Sequence, residues 1–415
     1  MPNYHIWTIG CQMNKAESER LASLFEETGY QYVPNVDDAD LIVINTCVVR
    51  QNAEDRAIHK LQNFKPLKKA RPEIIIAVTG CWVESNVDRL KTAYPFVDYF
   101  FKAGECPPWV DRGKWLQSLP KEPLPATYVP IIQGCNNFCA YCVVPYRRGR
   151  EKSRPLSEIV CEVEELVNRG TKEITLLGQN VDSYGLDLPE KTALSDLLTE
   201  LNNIDGLYRI RFLTNHPKDM SRRLIQTVAQ LDKVCKNITL PAQAGSNEVL
   251  KAMRRGYTIE EYRRLVNEIR SEIPDVGLVS DIIVGFPSET EAQFQQTVNL
   301  LTELRFDTVH LAAYSPRPGT IAAREMTDDV SAEDKKRRFT TLESLQQNIV
   351  TEINAGLHGK IVEVLVEGKQ KGKWFGRTGT DKLVFFHDNG NHIGKLVNLR
   401  VDLTGPWSLQ GTINY

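Results

Sequence analysis

Cys135, Cys139 and Cys142 stand at offsets 0, 4 and 7 in one short loop, Cys135-Asn-Asn-Phe-Cys-Ala-Tyr-Cys142. Thiolates are the usual ligands of iron-sulfur clusters, and three of them in one loop can converge on a single cubane. The next cysteine, Cys161, falls inside an amphipathic helical pattern. A closed structural zinc site takes four ligands, so the trio points to a cluster with one iron left open to an outside ligand. On these residues alone the alternatives are a zinc knuckle or three buried thiols that serve only as core.

Cys11, Cys47 and Cys81 are spaced far more widely, but each follows an apolar run, residues 5–9, 41–44 and 74–78, by two or three positions. Helical patterns lie between these runs, so the region reads as an open parallel α/β layer. Such sheets present ligands at the C-terminal edge of their strands, where the three thiols would gather. The alternative is three unrelated buried thiols. Cys106 has no matching partner and reads as structural. The first helix is expected to begin at Asn14, with Leu21, Leu24 and Phe25 on its apolar face and Gly29 after its end.

The elements that must position the first trio follow in order. Five prolines between 107 and 125 suit a stiff linker. Beyond it, strand-like runs at 128–132, 173–177, 209–213, 237–240, 277–284 and 308–313 alternate with helical patterns, as in a partial (β/α)6 barrel whose chemistry sits in loops after the strands. Residues 331–355 read as one helix capped by Ser331 and stopped by Gly356. Short runs at 361–366, 383–386, 396–403 and 407–410 then suggest a small antiparallel β-barrel. The expected division is 1–118, 126–356 and 357–415.

The chain has 415 residues, enough for two or three domains, with 41% hydrophobic and 25% charged residues. No apolar run reaches the roughly 20 residues of a membrane span, and no secretory signal opens the sequence. Nine cysteines, an odd number, suit a reducing compartment, so the expected location is the cytoplasm. The net charge of -2 hides a C-terminal excess, since residues 358–415 hold eight basic and five acidic side chains. Within it, the stretch 369–377 is read as a loop that interleaves Lys371, Lys373 and Arg377 with Trp374. Cations hold phosphates and aromatic faces stack on unpaired bases; a basic hairpin with a partly buried Trp is the alternative. Arg147, Arg148, Arg150, Lys152 and Arg154 directly behind the cysteine loop, and Arg254-Arg255 further on, either serve that site or are simply solvated.

The Cys135 to Cys142 spacing, with Tyr141 just before the last cysteine, resembles the radical S-adenosylmethionine superfamily. The resemblance implies a 4Fe-4S cluster whose open iron chelates S-adenosylmethionine for reductive cleavage to a 5′-deoxyadenosyl radical. Thr8-Ile-Gly-Cys-Gln-Met-Asn14, Asn45-Thr-Cys-Val-Val-Arg50 and Thr79-Gly-Cys81 resemble the N-terminal domain of methylthiotransferases, which implies that Cys11, Cys47 and Cys81 hold a second 4Fe-4S cluster that carries or donates sulfur. It also implies cofactor contacts from Tyr141, from Gln179 to the methionine amino end, and from Gln243 and Ser246 to the ribose. Thr239 and Ala244 depart from the usual His and Ser. Gly376-Arg-Thr-Gly-Thr-Asp-Lys382 is similar to a TRAM domain, implying tRNA binding.

Taken together, the chain resembles MiaB-type methylthiotransferases. That implies methylthiolation of carbon-2 of N6-isopentenyladenosine beside the anticodon, in the anticodon loop of tRNA. One S-adenosylmethionine would methylate sulfur and a second would supply the radical. The implied partners are an electron donor such as flavodoxin or ferredoxin and a sulfur donor, for a monomer with no membrane attachment. Alternatives are the sister enzymes acting on threonylcarbamoyladenosine or on a ribosomal protein, and a zinc-containing RNA-binding protein with no activity.

Overall fold

The computed structural model describes residues 1–414 except 49, 50, 84–86, 112, 114, 116 and 117; Val49 and Arg50 of the second cysteine motif therefore lie outside the described residues. Five parallel strands form the first sheet: β1 (Asn3–Thr8), β2 (Gln31–Tyr32), β3 (Leu41–Thr46), β4 (Ile75–Gly80) and β5 (Tyr99–Phe100), in the order β2-β1-β3-β4-β5. Every residue of β3 is buried, as a central parallel strand covered on both faces requires. The first helix spans Gln12–Glu27. It starts two residues before the expected Asn14, with Cys11 at its N-cap and Asn14 fully buried inside it.

The second region carries β6 (Ala126–Pro130), the short pair β7 (Ile132–Gln133) and β8 (Lys152–Ser153), then β9 (Glu173–Leu177), β10 (Arg209–Phe212), β11 (Asn237–Thr239), β12 (Gly277–Val284) and β13 (Thr308–Ala313). The six barrel strands are parallel but fall into two sheets, β6-β9-β10 and β11-β12-β13, joined by the bridge Ile210–Val234 and by Asn215 N donating to Thr239 O at 3.1 Å. The result is the expected open barrel with a seam in its middle. Met13 and Ala16 of the first helix pack against Leu177, Tyr128 and Leu213, so the N-terminal domain leans on the barrel beside β6.

The helix Ala332–Ala355 has Ser331 as N-cap, its Oγ accepting from Asp334 N at 3.0 Å, a contact that stabilises a helix by about 1 kcal/mol. Five strands close the C-terminal barrel in the order β14-β15-β16-β18-β17: β14 (Ile361–Gln370), β15 (Lys373–Thr378), β16 (Leu383–Phe386), β17 (Leu396–Thr404) and β18 (Leu409–Ile413). Two expectations need correction. The stretch read as a loop is a hairpin whose second arm is β15, and β16 runs parallel to β18, so the barrel is not purely antiparallel.

This barrel is docked on the N-terminal ends of the open-barrel strands. Arg209 donates to Arg377 O (2.6 Å) and to Glu363 Oε1 (2.9 Å). Arg211 pairs with Glu173 (Nε to Oε1 2.6 Å) and donates to Thr378 O (2.5 Å) and Gly379 O (3.3 Å). Lys382 Nζ lies 2.7 Å from Asp307 Oδ1.

Candidate active site

Parallel pairing brings the C-terminal ends of β1, β3 and β4 side by side, which places Cys11, Cys47 and Cys81 on one rim. The motif residues around them form the brace. Asn14 Nδ2 donates to Asn45 Oδ1 and Thr46 O, both at 2.8 Å, and Asn45 Nδ2 returns to Asn14 O at 2.9 Å. Thr46 Oγ1 donates to Thr79 O at 2.6 Å, and Cys81 N donates to Thr46 O at 2.9 Å. Asn14 is thus a buried amide that ties the start of the first helix to the end of β3, and Thr46 carries the brace on to the loop after β4. An Asn near a helix start reads as a cap from sequence, which is why its role was not legible.

Burial pushes the Cys81 thiol up to about 11; the Arg148 guanidinium pulls it down, and charge on Cys47 and Cys11 pushes it up again. In the second trio, burial pushes Cys142 up to about 12, with Cys139 and Cys135 adding to it; Cys135 is raised as well, burial again leading. Thiols with such proton affinities ionise when a bound metal supplies positive charge. Among the described residues, no three His, Cys, Asp or Glu side chains close up as for a single ion. A cubane holds each thiolate on a different iron and so spreads its ligands wider than one ion does.

The Cys135 loop leaves β7 at the mouth of the open barrel. Gly134 sits at φ +82, and a Cβ there would lie 2.1 Å from Arg150 O, so only glycine fits. Gly134 N donates to Gln179 Oε1 at 2.5 Å, Cys135 N to Gly149 O at 3.1 Å and Ala140 N to Met253 O at 2.9 Å. Phe138, at φ +47, lies under the Arg150 guanidinium at 4.3 Å. Arg255 is buried, stacks on Tyr257 at 5.4 Å and places Nη1 3.2 Å from Cys139 Sγ. Arg254 is exposed and points to Glu325. The two ambiguous arginines thus separate into one at the site and one in solvent.

Polar atoms that are buried without a partner collect after the strands: Asn180 Oδ1 after β9, Asn215 Oδ1 and His216 Nε2 after β10, and Gln243 Oε1 after β11. Desolvation chiefly, then Arg255 and Lys218, holds His216 down to about 2, so its ring is neutral. Orphaned polar groups of this kind are costly unless a ligand meets them, and their place at the barrel mouth beside the cysteine loop fits a polar cofactor such as S-adenosylmethionine.

The expected cofactor contacts divide accordingly. Gln243 is buried at φ +71 with its amide oxygen free. Tyr141 is half-buried against the core beside Arg255. Gln179 uses its oxygen to pin the cysteine loop. Ser246, the N-cap of the helix Asn247–Ala252, has its hydroxyl donating to Glu248 Oε2 at 2.5 Å.

In the C-terminal barrel the RNA expectations also divide. Trp374 is buried in the barrel core, its Nε1 donating to Asp388 O at 3.1 Å and Lys369 Nζ lying 4.9 Å over its ring. Its faces are therefore not open to a base, which corrects that reading. Lys371 is exposed at the hairpin tip, Lys373 Nζ meets Gln410 Oε1 at 2.9 Å, and Arg377 pairs with Asp381 at 3.2 Å. Sequence reasoning passed over Trp407, 63% exposed. It lines a cavity of about 740 Å3 together with Lys15 of the first helix, Thr239, Asp281 and His310 of the open barrel, and Arg377 and Lys382.

Comparison with known proteins bears on all three regions. Residues 3–102 match the model described as Uncharacterized protein family UPF0004, 129–301 the Radical SAM superfamily and 357–413 the TRAM domain. A tRNA-2-methylthio-N(6)-dimethylallyladenosine synthase of Dehalococcoides mccartyi (strain CBDB1) is 52% identical over 413 residues, covering 100% of this chain and 99% of that protein. One of the same name from Thermoanaerobacter pseudethanolicus is 44% identical, covering 99% and 92%. Among solved structures, the cobalamin-dependent S-adenosylmethionine radical enzyme OxsB shares the fold at TM-score 0.53 and 12% identity, over 84% of this chain and 56% of that one. The radical S-adenosylmethionine methyltransferase TsrM from Kitasatospora setae, with cobalamin and a [4Fe-4S] cluster bound, does so at TM-score 0.51 and 14% identity, over 78% and 74%. With three matching models in this order and relatives similar from end to end, the chain belongs to the family of tRNA-2-methylthio-N(6)-dimethylallyladenosine synthases.

Proposed function

We propose that this protein is a radical S-adenosylmethionine methylthiotransferase that places a methylthio group on carbon-2 of N6-isopentenyladenosine in tRNA, using S-adenosylmethionine and 4Fe-4S clusters. The observation that carries this reading is the pairing of two cysteine trios, one on the rim of β1, β3 and β4 and one at the mouth of the open barrel, in a chain 52% identical throughout to an enzyme of that name. When bound, the clusters and S-adenosylmethionine supply electron transfer, radical chemistry and activated sulfur. That chemistry suits the target, because a C–H bond of an adenine ring offers no acidic proton to a general base.

The chain's own residues bind, orient and exclude solvent. Cys135, Cys139 and Cys142 are the proposed ligands of one cluster and Cys11, Cys47 and Cys81 of the other. Gln243 and the buried Asn180, Asn215 and His216 line the place for S-adenosylmethionine. Trp407, Lys371 and Lys373 offer stacking and phosphate contacts to the anticodon loop. We further take the protein to act as a monomer in the cytoplasm, with a flavodoxin or ferredoxin as electron donor and a separate sulfur donor. The sister substrates weighed from the sequence are not favoured, since the relatives matched over the whole chain bear the dimethylallyladenosine name.

Two substitutions test the division of labour. Cys139→Ala should abolish S-adenosylmethionine cleavage, whereas Cys47→Ala should leave cleavage but stop thiolation, read as 5′-deoxyadenosine and as methylthio nucleoside by mass spectrometry. Equal loss of cleavage in both would mean the roles are misassigned.

A further inference from the structure

Among the described residues, a buried guanidinium lies at hydrogen-bond distance from a sulfur of each cysteine trio: Arg255 on Cys139 at 3.2 Å and Arg148 on Cys81 at 3.1 Å. The two arginines differ in origin. Arg255 serves the trio of its own domain. Arg148 closes the helix Val144–Arg148, which begins two residues after Cys142, yet the sulfur it touches belongs to the N-terminal domain.

Its remaining nitrogens reach the same rim. Nη1 donates to Glu17 Oε1 at 2.6 Å and Nη2 to Asn14 Oδ1 at 3.3 Å, an oxygen that also accepts from the Cys11 thiol at 3.3 Å. Because Asn14 Nδ2 holds Thr46 O at the end of β3, one residue before Cys47, a single side chain is tied to all three arms of the N-terminal trio. The guanidinium suits this task because its donors leave a rigid plane in several directions at once, which a lysine ammonium cannot reproduce.

We propose that Arg148 is a positioning residue for the N-terminal trio, supplied by the helix that leaves the radical-domain cysteine loop, so that the geometry of one cluster site is set from the other. The inference rests on the reading of Cys11, Cys47 and Cys81 as cluster ligands. Hydrogen bonds to ligand sulfurs tune a cluster's potential and fix its ligands, so loss of the Arg148 contact alters the cluster itself and not only the domain interface. A role limited to the ion pair with Glu17 is the competing account.

The test uses the full-length chain carrying Cys139→Ala, in which the iron signal comes from the N-terminal trio. Iron content, the electron paramagnetic resonance spectrum of the reduced protein, the rate of iron loss to a chelator and the thermal midpoint are measured with and without Arg148→Lys or Glu17→Gln. Arg148→Lys keeps a cation beside Glu17, so the thermal midpoint should stay near the parent's. Iron should leave about 10- to 100-fold faster, in line with other outer-shell substitutions, and the spectrum should shift. Glu17→Gln should lower the midpoint and leave the spectrum close to the parent's. An Arg148→Lys chain with the parent's spectrum and chelation rate overturns the inference, as does a Glu17→Gln chain whose spectrum moves. Should Arg148→Lys not fold, Arg148→Gln is read in the same way, and the parent's spectrum and chelation rate in that chain overturn the inference. A Cys139→Ala parent without iron would instead overturn the reading of the trio as a cluster site, and the inference with it.

Discussion

Arg211→Ala is the sharpest test of how the C-terminal barrel is held. Arg211 and Glu173 are both buried, paired through Nε to Oε1 at 2.6 Å and Nη2 to Oε2 at 3.4 Å. The same guanidinium caps Thr378 O and Gly379 O of the barrel. Truncation leaves Glu173 with Arg209 Nη1 at 3.9 Å as its nearest cation. Breaking one side of a buried pair costs about 3–5 kcal/mol, and each carbonyl stripped of its donor adds about 1–3 kcal/mol where water cannot replace it. Part of that cost is relieved by undocking, because a released barrel returns its carbonyls to solvent. The expected result is therefore two-fold: a urea midpoint that falls by the equivalent of about 3 kcal/mol or more, and faster proteolysis between the long helix and β14. Adding Glu173→Gln should recover part of the loss, since it removes the stranded charge. A single-variant loss below about 1 kcal/mol with unchanged proteolysis would refute the reasoning, because that is the scale of a surface pair.

Other consequences are more local. Gly134→Ala, at φ +82 with Arg150 O only 2.1 Å from the added Cβ, should displace the Cys135 loop and lower iron content, whereas the same change at Gly372, which has open space around it, should leave iron unchanged. Trp407→Ala should weaken tRNA binding by about 1–3 kcal/mol if a base stacks there without lowering the thermal midpoint; Trp374→Ala should do the reverse by opening the barrel core, at a cost of about 3–5 kcal/mol. Burial pushes the Asp182 carboxyl up to about 7, against the pull of hydrogen bonds from His216 N and Asn215 Nδ2. The folded state therefore holds this proton more tightly, and the stabilisation is full below the unfolded pKa of 3.8 and lost as pH rises through about 7. Unfolding free energy should fall by up to about 1.4 kcal/mol per pH unit in that window, and Asp182→Asn should remove this component of the slope.

How much of this was legible in the sequence depends on the range of the interaction. The Cys135 loop was, because its three thiols are local and their spacing is itself the geometry. The N-terminal trio was legible only through the strands, since parallel register alone brings Cys11, Cys47 and Cys81 to one edge. Asn14 was not, because its partners Asn45 and Thr46 lie more than thirty residues away. Trp374 was misjudged although a signal existed. In β15 the side chains alternate, with Trp374, Gly376 and Thr378 buried, and that period places Trp374 inside while the cations Lys373 and Arg377 face outward. The docking of Arg209 and Arg211 on β14 and the β15–β16 turn joins residues over 150 positions apart, and no local pattern announces it.

Iron counting after anaerobic reconstitution bears most directly on the central claim, that six cysteines form two cluster sites. The account predicts about eight iron atoms per chain for the unaltered protein and about four for either Cys139→Ala or Cys47→Ala, as two cubanes require. About four in the unaltered chain, unchanged by Cys47→Ala, would contradict it.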